Sequence, residues 1–256
     1  MKKIITILLC TLFLLSCLGC SVNGLRVKQL NEKMRTETMQ SDDPCQKIVI
    51  EGLFFTSGKP CTVTVENGPS VSVEADLPTA LYDDYGFTMA LQNGILTLSA
   101  ERQYRFRLKE AASIHITAPL DALEVAGGLD LSVDATGVEN FHLLLEGAGD
   151  VSIENLDTDM AEVAIAGAGD VTLTGKTAAF SCGITGAGDI NAEHLLSSTA
   201  DLSITGAGDI TLAVQDALRV KISGAGSVSY YGSPEIQKSV AGAGDVAQKS
   251  AQIPSR

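Results

Sequence analysis

From Leu123 to Gln248 apolar residues fall at alternate positions on both sides of a recurring glycine-rich tetrapeptide. Gly-Ala-Gly-Asp stands at 147–150, 167–170, 186–189, 206–209 and 242–245, with Gly-Ala-Gly-Ser at 224–227 and Gly127-Gly128-Leu129-Asp130 at the head of the series. Their starts are 20, 20, 19, 20, 18 and 18 residues apart. Two residues before each motif stand Val125, Leu145, Ile165, Ile184, Ile204, Ile222 and Val240; four before stand Leu123, Leu143, Val163, Cys182, Leu202, Val220 and Lys238. Directly after it come Leu131, Val151, Val171, Ile190, Ile210, Val228 and Val246, and two residues on Val133, Ile153, Leu173, Ala192, Leu212, Tyr230 and Gln248. Period-2 alternation on each side of a corner predicts two half-buried strands per repeat.

A unit of about 20 residues holding such strands has no room for a helical crossover, so the repeat predicts an all-β fold, a right-handed parallel β-solenoid of 19–20-residue coils stacked about 4.8 Å apart. The glycines are expected to supply positive φ at each corner, with Ala148, Ala168, Ala187, Ala207, Ala225 and Ala243 stacked where nothing larger fits. Residues 45–120 lack the motif but keep short apolar runs (Ile48-Val49-Ile50, Val63 and Val65, Val71 and Val73, Ile95 to Leu98, Ile114-His115-Ile116). They read as irregular β-structure that starts or caps the solenoid, with the repeats proper over 121–247. The far end is expected to close with Tyr230-Tyr231-Gly232-Ser233-Pro234, the last motif and a polar tail over 248–256, a cap that shields strand edges.

The N-terminus reads as an address. Lys2 and Lys3 precede an apolar run from Ile4 to Leu15 that is too short to span a bilayer, the pattern of an export signal over residues 1–16. Leu14-Leu15-Ser16-Cys17 resembles a bacterial lipobox, which implies cleavage before Cys17 and its acylation; Cys20, after Leu18-Gly19, is the alternative. Residues 21–44 are polar and lack strand alternation, so 17–44 is expected to be a lipidated cysteine on a flexible tether holding the domain roughly 25–30 Å from the lipid.

The chain has Lys+Arg 18 against Asp+Glu 31, a net charge of -13, and loss of residues 1–16 would remove two lysines to give -15. A polyanion is repelled by such a chain, which argues against nucleic acid as partner. Asp150, Asp170, Asp189 and Asp209 should line up along one edge, interrupted at Ser227 and resumed at Asp245, with Asp130 extending the row. Carboxylates 4.8 Å apart repel by about 1 kcal/mol even in water. Two arrangements offset this: bonds from backbone N–H groups of the turns, or a cation such as Ca²⁺ held between coils. Several β-helical enzymes act on polysaccharides with paired carboxylates in loop-walled grooves, but these coils are nearly minimal, Trp is absent and the repeats hold few basic residues. His115, His142 and His194 lie in different repeats without metal-ligand spacing, and no catalytic or cofactor-binding set emerges. Cys182 occupies an inward column and reads as a buried free thiol; Cys45 and Cys61 either bridge or stay free.

The serial Gly-Ala-Gly-Asp corners, Ile-Thr-Ala-Pro at 116–119 and Tyr-Tyr-Gly-Ser-Pro at 230–234 with its final Ala-Gly-Ala-Gly-Asp make residues 45–247 similar to the head GIN domain of auto-transporter adhesins, found in lipoproteins of Bacteroidetes-type bacteria. The resemblance implies a β-solenoid on an envelope-anchored protein and carries no active site. The expected role is therefore a non-enzymatic, adhesin-like binding protein, exported and lipid-anchored, on the outer membrane at the cell surface, with an unidentified protein or glycan ligand. A periplasm-facing structural or stress component docking another protein is the alternative, and a polysaccharide-acting enzyme the third.

Overall fold

The computed structural model describes residues 26–30, 33–101 and 104–253; the signal-like stretch, Cys17 and Cys20 lie outside them. The repeat half contains β10 (Ala122–Gly128), β11 (Leu131–Asp134), β12 (Asn140–Gly147), β13 (Val151–Ile165), β14 (Val171–Gly186), β15 (Ile190–Gly206), β16 (Ile210–Gly224), β17 (Ser227–Tyr231), β18 (Glu235–Gly242) and β19 (Asp245–Ser250). All pair in parallel, in the register of the motif: Leu123 on Leu143, Val163, Cys182, Leu202, Val220 and Lys238 in turn. The protein is a parallel β-solenoid. Its apolar columns are buried from Leu123 to Val228 in one continuous core, to which every coil adds its alternate side chains.

The uneven period has a structural source on the third side of the coil, away from the two laddered faces. Asn155, in the left-handed region at φ 60, is an extra residue where the register between β13 and β14 shifts. Between β15 and β16 the pairing jumps from Ala192↔Leu212 to Leu196↔Ala213, so Glu193, His194 and Leu195 have no counterpart. The loss shortens the last coils while the corner stays in register.

The N-terminal half contains β1 (Arg26–Leu30), β2 (Met34–Ser41), β3 (Lys47–Phe54), β4 (Cys61–Asn67), β5 (Val71–Pro78), the five-residue helix α1 (Thr79–Asp83), β6 (Thr88–Gln92), β7 (Ile95–Ser99), β8 (Tyr104–Leu108) and β9 (Ala112–Ala118). It continues the solenoid out of sequence order. β3 lies between β7 and β10, and β4 between β9 and β11, all parallel, so the coil made of residues 47–67 is inserted between those made of 95–118 and 122–134. The link Pro119–Asp121 must climb past the inserted coil. Asn67 holds it there: its Oδ1 accepts from Leu120 N at 3.1 Å and its Nδ2 donates to Thr136 O at 3.0 Å.

Antiparallel strands cover this end of the stack, β6 on β7 and β5 on β9, with β2 on the outer edge of β5. Residues 26–41 therefore correct the expectation of a tether: β1 pairs in parallel with β8 and β2 pairs antiparallel with β5 over eight residues. Alternation failed to reveal β2 because none of its side chains is fully buried; backbone hydrogen bonds hold it.

The opposite end also differs from expectation. β18 and β19 complete one more coil, and among the described residues no strand or helix lies over them. Every residue of β18 is exposed. The edge is blunted in part from within, because two of the four inward columns end in Lys238 and Gln248, a charge and an amide, while the other two end in Val240 and Val246.

Candidate functional site

The corners form one continuous face of the molecule. In each, the alanine N–H donates to the first glycine carbonyl of the preceding coil, as in Ala168 N to Gly147 O at 2.8 Å and Ala187 N to Gly167 O at 3.0 Å. The residue after each Asp donates to the Asp carbonyl of the following coil, as in Val151 N to Asp170 O at 2.8 Å. A Cβ on Gly169, Gly188 or Gly208 would run into the carbonyl oxygen of the glycine one coil before it, well inside contact distance. Close approach, not backbone handedness, therefore demands the second glycine. Positive φ occurs at the first glycine of only the later corners, for example 148° at Gly186 and 131° at Gly242, which corrects the expectation of positive φ throughout. The alanines differ too: Ala148, Ala168, Ala187, Ala207, Ala225 and Ala243 are exposed and lie along the outside.

The aspartates line up as expected, and their carboxylates are used within the ladder. Oδ1 of Asp130, Asp150, Asp170, Asp189 and Asp209 accepts the backbone N–H of Asp150, Asp170, Asp189, Asp209 and Ser227 respectively, at 2.7–3.3 Å. Of the two arrangements open from sequence, this is the one with backbone donors. Among the described residues no three His, Cys, Asp or Glu side chains converge as a metal-holding group.

Where the bulky N-terminal corners meet the Gly-Ala-Gly corners, the face steps down and leaves a cleft of about 670 Å³. Phe54, Phe55 and Lys59 form its wall with Arg105, Asp130 stands at the step, and Gly147, Ala148, Gly167 and Ala168 are its floor. The wall is rigid because Phe55 packs on Phe106, ring centroids 6.3 Å apart, and Phe106 packs on Tyr85 at 5.2 Å. These residues carried no motif. The signal that finds them is alignment of β3 on β10, which sets Phe54 against Gly128 where every later coil has a small residue.

The histidines are scattered as the sequence implied: His115 bonds Thr64 Oγ1 at 2.6 Å, His142 faces Glu162 at 3.0 Å and His194 faces Glu193 at 3.4 Å. Cys45, Cys61 and Cys182 are free and buried, which closes the question of a Cys45–Cys61 bridge. Burial pushes the Cys61 thiol up to about 12 and raises that of Cys182 as well, with the Asp201 charge adding to the latter. Neither is a nucleophile near neutral pH.

Fold and corner face together define a class: a glycine-cornered parallel β-solenoid with a stepped, partly aromatic cleft. The chain belongs to the family described as "Putative auto-transporter adhesin, head GIN domain", whose model matches residues 55–234. Among solved structures it is similar to a "putative adhesin" from Bacteroides fragilis, at 23% identity and a TM-score of 0.71, covering 86% of this chain and 99% of that one. It is also similar to a "putative lipid binding protein" from Parabacteroides distasonis, at 20% identity and a TM-score of 0.65, covering 87% of this chain and 99% of that one. A "putative adhesin" from the same species has 17% identity and a TM-score of 0.60, with coverage of 87% and 99%. At these identities the likeness establishes the fold. No curated protein matches the chain significantly.

Proposed function

We propose that this is an exported lipoprotein, anchored through Cys17, whose solenoid head binds a protein or glycan ligand at the cell surface without catalysing a reaction. The observation that carries the reading is the cleft. It sets two phenylalanines and two cations beside one carboxylate over a floor of glycine and alanine, a lining that can hold a ligand yet presents no acid–base pair. Family membership and the adhesin descriptions of structural neighbours support a binding role. The lipobox-like Leu14 to Cys17 supports the anchor.

Protease shaving of intact cells tests the reading, with immunodetection of the domain and of a periplasmic control. Loss of the domain while the control survives is the expected result. Survival of the domain until the outer membrane is broken would overturn surface display in favour of a periplasm-facing component that docks another envelope protein.

A further inference from the structure

The charge of the molecule is segregated. Residues 121–250 hold 19 Asp and Glu against 5 Lys and Arg, whereas β1, β8 and the corner segment beside them carry Arg26, Lys28, Lys59, Arg105, Arg107 and Lys109. The fold brings these six together. β1 pairs with β8 from Arg26↔Tyr104 to Leu30↔Leu108, and β8 is joined on its other side to residues 55–59 through Thr56 N to Phe106 O and Lys59 N to Leu108 O. Tyr104, Phe106 and Leu108 share one face of β8, with Phe106 and Leu108 fully buried; Arg105 and Arg107 alternate to the other, where Val27 and Gln29 of β1 stand opposite them. Val27 is 60% exposed, the largest exposure of any big apolar side chain among the described residues.

Elsewhere four of the eight described basic side chains are matched, Arg35 with Asp83 and Glu37, Lys47 with Glu124, Lys176 with Asp157 and Arg219 with Asp201, and the other four, Lys33, Lys221, Lys238 and Lys249, are not gathered on one strand pair. Among the described residues Arg26, Lys59, Arg107 and Lys109 have no carboxylate within ion-pair distance, and Lys28 lies 5.4 Å from the Tyr104 ring centroid. The strand pair thus carries cations on both faces, Arg105 and Arg107 on that of the exposed Val27 and Arg26 and Lys28 on that of Tyr104 and Phe106. On a chain of net charge -13 this basic edge complements a surface that is itself anionic and partly apolar.

Position in the chain selects which surface. Arg26 follows Cys17 by nine residues, which reach at most about 30 Å when extended. We infer that the β1–β8 sheet docks on the anionic phospholipid headgroups of the bilayer that carries the anchor, and so orients the acidic repeats away from it. The inference rests on lipidation near Cys17, which keeps the patch at high effective concentration beside the bilayer. At about 1 kcal/mol per cation such a patch partitions measurably onto an anionic bilayer without an acyl chain, and the tether raises that partition to near-full occupancy.

The test uses the mature chain, residues 17–256, with Cys17→Ser and Cys20→Ser so that no acyl chain contributes, on vesicles of phosphatidylcholine with or without phosphatidylglycerol. Sedimentation with the anionic vesicles alone is expected, released near 1 M salt where the Debye length falls to about 3 Å. Arg26→Ser, Arg107→Ser and Lys109→Ser together should lower partition on the order of 100-fold, about fivefold per charge. The charge-keeping set Arg26→Lys, Arg107→Lys and Lys109→Arg should retain it, with circular dichroism confirming that both fold. Absence of binding to anionic vesicles, or equal binding by the triple serine variant, would overturn the proposal. Intact mass of the protein extracted from cell membranes reads the acyl groups separately. An unacylated Cys17 would remove the anchor reading without touching the vesicle result.

Discussion

The two halves of the solenoid reach the same cross-section by different means. After Ala122 every coil repeats one solution: two glycines let backbones stack at the corner, an exposed alanine donates its N–H to a glycine carbonyl of the coil before, and an acidic corner clips its neighbour's N–H. Before it no corner is like another. Those coils are stacked out of order, filled by Phe55, Tyr85, Tyr104 and Phe106, pinned by the amide of Asn67 and covered by antiparallel strands. Regularity gives a plain wall, and irregularity supplies the features that could recognise something: the cleft lies where one regime gives way to the other.

The sharpest way to break this contrast is to put the same kind of change into each half. Gly188→Val should cost about 4 kcal/mol or prevent folding, because its Cβ would meet the Gly169 carbonyl of an unyielding neighbouring backbone. In the N-terminal half Gly86 has φ +62° and open space, with the nearest atom, Glu101 Cγ, at 3.8 Å, so Gly86→Ala should cost only about 1–2 kcal/mol of backbone strain. Urea unfolding measures both; a Gly188→Val chain as stable as the parent would refute corner stacking.

Asn67→Ala comes next, at about 2 kcal/mol, since it leaves Leu120 N of the climbing link and Thr136 O of the turn after β11 without their partner. Loss of amide-exchange protection should centre on 118–136, with the repeats beyond 150 unaffected. A smaller effect separates the two chemistries weighed for the acidic row. Asp170→Ala should cost about 1 kcal/mol, while Asp170→Asn keeps the acceptor for Asp189 N and should be nearly neutral, with melting unchanged by Ca²⁺ or a chelator. A rise in melting temperature with Ca²⁺, lost in Asp170→Asn, would restore the cation.

The smallest effect is one of pH. Hydrogen bonds from Thr136 and Asn155 hold the Asp134 carboxyl below its ordinary range. A depressed value means that its contribution is complete above the unfolded-state pKa and is lost as pH falls through the folded one. Asp134→Asn should therefore flatten the acid limb of the melting-temperature profile slightly and leave neutral pH almost unchanged.

The sequence makes the repeat half legible because identical corners force identical columns: Leu123 through Val220 and Leu131 through Val228 are buried as their alternation requires. Legibility fails where structure depends on what is adjacent in space rather than in sequence. β2 has no buried side chain to mark it, and the insertion of residues 47–67 between later coils has no periodic trace at all. The aspartate row could be placed by counting, yet its bonding partners could not. The cleft's wall was hidden because Phe54 and Phe55 resemble ordinary core residues until β3 is laid on β10.

That inserted coil has a consequence for the order in which the molecule can be built. β3 and β4 leave the ribosome, or a translocation pore, ahead of all four strands they lie between, β7, β9, β10 and β11. Coil-by-coil zipping in sequence order cannot start at the N-terminus: the first two coils to stack, 47–67 on 95–118, need residues 47–118 together, a slow, long-range event, and the opposite face of the inserted coil then waits for 122–134. Once it closes, each further coil meets a finished template and adds at the cost of a loop of about 20 residues, quickly and in sequence. Before that closure the early chain has its antiparallel pairs, β2 on β5 and β6 on β7, and afterwards the molecule completes itself as a growing stack.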